Sequence, residues 1–178
     1  MALYVLALLL VFLDHLSFLC SNSCRTVLNP EIGRNLVSFR RILIAVDEQP
    51  VSVRAGELGA ELARSLGADV ALVNVNDPGF AGDTGIPPKE LIAQAEQDSR
   101  RLLAGFHKRL ALPASTLQFV QTGAPAAAIV KAAQEWPADL IVIASHGRTG
   151  VRRALLGSVA EGVMRNASCP VLVVRAQT

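Results

Sequence analysis

Two hydrophobic rhythms alternate along the chain. Residues 41–46 (RILIAV) form an unbroken apolar run, the pattern of a strand buried on both faces. From 50 to 66, Val51, Ala55, Leu58, Leu62 and Leu66 recur at three- and four-residue spacing and so share one face of a helix, which Gly67 stops. Residues 69–75 (DVALVNV) predict a second strand, and 76–88 a loop rich in Gly, Pro and Asp. Helical spacing returns over 88–110 through Leu91, Ala95, Leu102, Phe106 and Leu110. Residues 115–121 predict a third strand, less apolar and therefore suited to a sheet edge. A short helix over 123–136 has Pro125 near its first turn, where an amide hydrogen is not needed. A fourth strand at 139–144 (DLIVIA), a fourth helix at 157–166 and a fifth strand at 170–175 (PVLVVR) complete the series.

This β-α-β-α-β-α-β-α-β order predicts an α/β fold: a single doubly wound domain with a five-stranded parallel sheet and helices on both faces. Ligands of such sheets collect beyond the carboxyl ends of the strands, where strand order reverses. The positions to read for chemistry are therefore Asp47 and Glu48, Asn76 and Asp77, Thr122 and Gly123, and the chain from Ser145 onward.

Residues 1–36 break the rhythm. Their apolar run, 1–13 (MALYVLALLLVFL), is shorter than the about 20 residues a membrane-spanning helix needs. Three readings stay open: a secretory signal, with Ser21 and Ser23 near a cleavage position but no Lys or Arg before the apolar run; a translation start nearer Leu36 or Val37; or a hydrophobic arm packed on the domain. The expected organisation is a hydrophobic extension at 1–36 and a domain at 37–178.

Composition narrows the function classes. Of 178 residues 51% are hydrophobic and 18% charged, enough to build a core and far from the disordered regime. The formal charge is only +2 and basic residues cluster no further than pairs, which speaks against a dedicated nucleic-acid binder. Cys20, Cys24 and Cys169 support neither a disulfide framework nor a zinc site. A cytoplasmic protein without membrane attachment is the expectation, with export or membrane association the alternative if 1–36 is a genuine signal.

The segment 144–159 (ASHGRTGVRRALLGSV) leaves the fourth strand and enters the fourth helix through Gly147, Gly150, Gly157 and Ser158. Phosphate binding needs backbone amides that approach closely, hence glycine, and a helix N-terminus whose amides and dipole favour an anion. The same glycines could simply shape a turn, with Ser158 as a cap. No GxxxxGK[ST] occurs and no GxGxxG follows the first strand, so neither a P-loop nor the usual dinucleotide fold is supported.

Ala144-x2-Gly147-x9-Gly157-Ser158 resembles the G-x2-G-x9-G-[ST] nucleotide motif of the universal stress protein family, with Ala144 where the motif has its first glycine. RILIAVD, GAPAAAIVKAA, ADLIVIASHGRTG and LLGSVAEGVMRNASCPVLVV extend the resemblance over 40–175. It implies strand order 3-2-1-4-5 and ATP as ligand, with Mg or Mn carried by the nucleotide. It implies adenine held by Ala45, Val46 and Asp47 with a main-chain contact at Val75. Ribose and phosphates would lie against Ser145, His146, Gly147, Arg148, Thr149 and Gly150, and against Ser158, Val159 and Ala160. It also implies a homodimer joined along 170–175, where an apolar edge strand needs cover.

Plainer readings stand beside these. Asp47 could cap the following helix, Arg148, Arg152 and Arg153 could face solvent, and His107 reads as a solvated helix residue. His146 has no evident Asp or Cys partner for catalysis, and Cys169 reads as packed. Because 145–158 holds no carboxylate, the expected function is an ATP-binding stress-response or regulatory module with little or no turnover. The alternatives are a dimerising interaction protein of the same fold without nucleotide, and a slow ATPase or phosphotransferase in which Asp47 reaches a metal.

Overall fold

The computed structural model describes residues 38–77, 88–145 and 156–175. Its elements are β1 (Arg41–Ala45), α1 (Pro50–Leu66), β2 (Asp69–Asn76), α2 (Pro88–Arg109), β3 (Leu117–Thr122), α3 (Pro125–Glu135), β4 (Leu140–Ala144), α4 (Ser158–Asn166) and β5 (Val171–Val174). The strands form one sheet in the order β3-β2-β1-β4-β5, every pair parallel, so the expected fold class and strand order hold. β1 is central: Ile42 stands opposite Val70 on one side and Leu140 on the other. The Asp139 carboxylate accepts the amides of Arg40 and Arg41, both at 2.9 Å, and ties the entries of β1 and β4 together. Among the described residues no helix is long and apolar enough to cross a membrane.

The element ends differ from the expected ones for local reasons. β3 begins at Leu117 because Thr116 donates its amide to Pro113 in a turn. Pro170 has no amide to give the ladder, so β5 starts at Val171, although the Pro170 carbonyl still accepts from Ile141 at 3.0 Å. α3 starts at Pro125 because Gly123, at φ +130°, makes the turn that precedes it.

The sheet buries both faces. Ile42, Ile44, Leu72 and Val142 pack against α1 and α2, while Leu43, Val73, Ile141 and Ile143 pack against α3 and α4. The inward face of α1 corrects the sequence reading. Leu58 and Leu66, expected in the seam, are 41% and 47% exposed, and the buried residues are Ser52, Ala55, Gly56, Gly59, Ala60 and Ala63. At Gly59 the helix lies too close to the sheet for a larger side chain: a Cβ there would sit 2.7 Å from Ile44 Cδ1, while Val51 and Leu62 pack against the core from its flanks. In α2 the seam runs through Ser99, Leu103 and Phe106 and continues to Leu110 just beyond the helix, with Leu102 only partly buried. On the opposite face α3 and α4 touch just as closely, since a Cβ on Gly162 would meet the Ala126 Cβ at 2.7 Å.

Cys169 packs against this second core, and its thiol pKa is pushed up, first by burial and then by the Asp139 carboxylate. The reactive thiolate is therefore scarcer at neutral pH than for a free cysteine. Labelling Cys169 with a disulfide reagent at pH 8 should run well below the rate of a model thiol and approach it on unfolding; equal rates in the native protein would contradict this packing.

Candidate functional site

Chain direction across the sheet reverses between β1 and β4, where β1 leads toward β2 and β3 while β4 leads toward β5. Beyond the carboxyl ends of these strands opens a cavity of about 240 Å³. Ala45, Val46 and Asp47 form its β1 wall, Val73, Asn74, Val75 and Asp77 its β2 wall, and Ile143 and Ala144 its β4 wall. Pro125 and Ile129 of α3 and Gly157, Ser158, Val159 and Ala160 at the start of α4 close the rest, with Ser52 below the β1 turn.

The apolar part of the lining is β-branched side chain and alanine, which suits the flat face of a ring. The polar part is ordered from within. Val46 donates its amide to Val73 O at 2.9 Å and accepts Asn74 Nδ2 on its carbonyl at 2.7 Å. Asp47 donates its amide to the 1%-exposed Ser52 hydroxyl at 2.8 Å, and Asp47 Oδ1 accepts the Gln49 amide at 3.0 Å. The Asp47 carboxylate thus braces the β1–α1 turn. The helix N-cap itself is Gln49, which makes no side-chain cap.

Besides α1, the helices α3 and α4 begin at this cavity, and neither is capped by its own side chains. α4 starts from Gly157, with extended backbone (φ −74°, ψ 152°) and no side chain to occupy the first-turn amides. The Gly157 amide goes to Ser145 O at 2.6 Å, which anchors the turn to the end of β4. The amides of Ser158, Val159 and Ala160 have no intrahelical acceptor, as in the first turn of any helix. α3 starts from Ala124, again without a side-chain cap, and with Pro125 at its head. No acidic residue lies in the first turn of α3, and Glu161 in that of α4 is turned to Arg165 at 2.7 Å. The positive ends of both helix dipoles border the cavity, and such ends favour an anion.

Ala45, Val46, Asp47, Val75, Ala144, Gly157, Ser158, Val159 and Ala160, expected from the sequence as site residues, all line this one cavity. Ser145 does not line it: 1% exposed, it lies beneath, giving its amide to Val174 O at 2.7 Å and its carbonyl to Gly157. His146, Gly147, Arg148, Thr149 and Gly150 lie outside the described residues, as do Arg152 and Arg153. The sequence reading missed Ser52, Asn74 and Ser99. Their signal was a polar residue at a position whose neighbours are buried, which periodicity discounts. Among the described residues no cluster of three or more His, Cys, Asp or Glu could hold a metal ion, although Asp47 and Asp77 both border the cavity.

The protein-family model of the universal stress protein family matches residues 38–175. Universal stress protein MJ0531 of Methanocaldococcus jannaschii is 34% identical over 150 residues, covering 80% of this chain and 85% of its own. Among solved structures, hypothetical protein MJ0577 superposes with a TM-score of 0.70 at 25% identity, over 79% of this chain and 99% of its own. A universal stress protein solved in complex with cAMP superposes at 0.61 with 21% identity, over 79% and 99% of the two chains. Strand order, the cavity at the reversal point and these matches agree: the chain belongs to the universal stress protein family.

Proposed function

We propose that the domain binds ATP, with the base between the ends of β1 and β2 and the phosphates at the start of α4, and acts as a nucleotide-linked regulatory module of the stress response. The observation that carries this reading is the glycine-capped first turn of α4, which presents amides to the same cavity that Val46 and Val75 line with apolar surface. The cAMP complex of the 21%-identical neighbour belongs to that protein and speaks here only for the fold. A divalent cation carried by the nucleotide would find Asp47 or Asp77 at the cavity rim. The reading also keeps the cytoplasmic location, and a homodimer paired along the β5 edge, whose half-buried Val171, Leu172 and Val173 would gain cover.

Turnover should be slow. Asp47, in the turn after β1, is engaged by the Gln49 amide, and Glu161, in the first turn of α4, is paired with Arg165. ATP then works by biasing conformation or partner choice. Titration calorimetry with MgATP tests the binding, and a phosphate-release assay tests the chemistry. ATP and ADP should bind and adenosine more weakly, with phosphate release far below the enzyme median of about 10 per second. Failure of all three to bind would overturn the nucleotide reading; turnover near that median would make the protein an ATPase.

A further inference from the structure

One wall of the cavity is held from outside it. Asn74, 8% exposed at the end of β2, sends its Nδ2 to the Val46 carbonyl at 2.7 Å, and its Oδ1 lies 2.6 Å from the hydroxyl of Ser99 in α2. Ser99 is 3% exposed and lies equally close, at 2.7 Å, to Asn76 Oδ1. A hydroxyl carries one proton and cannot donate to two amide oxygens at once. At the same time Asn76 Nδ2 is buried with no partner. Turning the Asn76 amide over resolves the double claim on the Ser99 proton, because its NH2 then donates to Ser99 Oγ. The result is a chain of donors with one direction: Asn76 to Ser99, Ser99 to Asn74, Asn74 to the carbonyl of Val46.

We propose that this Asn76–Ser99–Asn74 relay makes Ser99 a positioning residue for the ligand cavity and couples its occupancy to the docking of α2 on the sheet. The proposal rests on the nucleotide reading and adds regulation to it. Val46 and Asp47 border the cavity on consecutive positions, and the Val46 carbonyl is fixed in place by a side chain that α2 orients. Coupling is reciprocal: if α2 docking improves binding, binding must tighten α2 docking by the same factor. The outward face of α2 bears Glu96, Asp98, Arg100 and Arg101, so a change in docking alters a charged surface that a partner can sense.

Hydrogen exchange of the full chain with and without MgATP, together with ATP titration, tests this. In the wild type, ATP should slow exchange both in the first turns of α4 and in α2 around Ser99. In Ser99→Ala the ATP affinity should fall about tenfold, in line with the cost of one orphaned buried partner. ATP-dependent protection of α2 should be lost while that of α4 persists. Asn76→Ala, a change outside the cavity lining, should reproduce the loss, and Ser99→Thr, which keeps the hydroxyl, should restore it. Protection of α4 without α2 in the wild type, or wild-type affinity and α2 protection in Ser99→Ala, overturns the coupling alone. Absence of ATP-induced protection anywhere overturns the nucleotide reading and the coupling with it.

Discussion

Gly162→Val is expected to lower the melting temperature and weaken nucleotide binding together. The Cβ that any side chain brings would lie 2.7 Å from Ala126 Cβ. Neither atom is the end of a flexible chain, so the overlap cannot be relieved by a rotamer and the helices must part. Overpacking of this kind costs about 1–3 kcal/mol, while the gain in helix propensity over glycine returns only a few tenths of a kcal/mol for valine. At about 4 °C per kcal/mol for a domain of this size, the melting temperature should drop by roughly 4–12 °C. The ligand consequence follows from where the contact lies. Ala126 is next to Pro125, and Gly162 sits two residues beyond the Gly157–Ala160 segment, so parting the helices moves both polar ends that border the cavity. Calorimetric melting and ATP titration on the same sample check the pair. Lost stability with unchanged affinity would show that the α3–α4 contact does not set the geometry of the cavity.

Gly157→Asp is expected to separate two quantities that usually move together. The backbone at Gly157 is extended, a conformation any residue adopts, so an aspartate brings no backbone strain. At the N-cap its carboxylate accepts from the first-turn amides and meets the positive end of the dipole, a gain of a few tenths to about 1 kcal/mol over glycine. The nucleotide-free protein should therefore melt at the same temperature or higher. ATP, meanwhile, loses those amides and meets a fixed negative charge. At about 4 Å such a repulsion is worth roughly 1 kcal/mol in water and 4 at an effective dielectric of 20. Adding the forfeited hydrogen bonds, affinity should fall at least about a hundredfold. Melting without nucleotide and titration with it give the two readings. If ATP binds as tightly to Gly157→Asp as to the wild type, its phosphates do not sit at α4.

The course of the strands was legible because each is a short apolar run bounded by Gly, Pro or Asp, and parallel sheets write that pattern plainly. Pro125 marked the head of α3 for a reason local to its own ring, and the polar outer face of β3 marked it as an edge. The α4 half of the site was legible for the same kind of reason, since Gly157 and Ser158 adjoin in sequence. What stayed hidden depends on distance between helix and sheet. Hydrophobic spacing in α1 placed Ala55, Val51 and Leu62 on the inward face, where they pack, but also Leu58 and Leu66, which are exposed; the structure instead buries Gly56, Gly59, Ala60 and Ala63, with Ile44 coming up against Gly59. Asn74 and Ser99 are 25 residues apart and meet only after α2 has docked, so their bond has no signature in either segment alone.

The small-residue face of α1 changes what this protein can tolerate over evolutionary time. In most helices the inward positions accept an exchange of one bulky aliphatic for another, and the outward ones drift. Here Gly59 admits almost nothing larger, because the space beside it is already filled by Ile44 and Val142 from the sheet, and Ala55, Ala60 and Ala63 are buried along the same helix. Leu58 and Leu66, by contrast, are free to become Lys, Gln or Glu with little effect on folding, and such changes would improve solubility. Engineering the domain for higher expression should begin at those two leucines, and a library that randomises α1 should recover glycine at position 59 while letting position 58 wander.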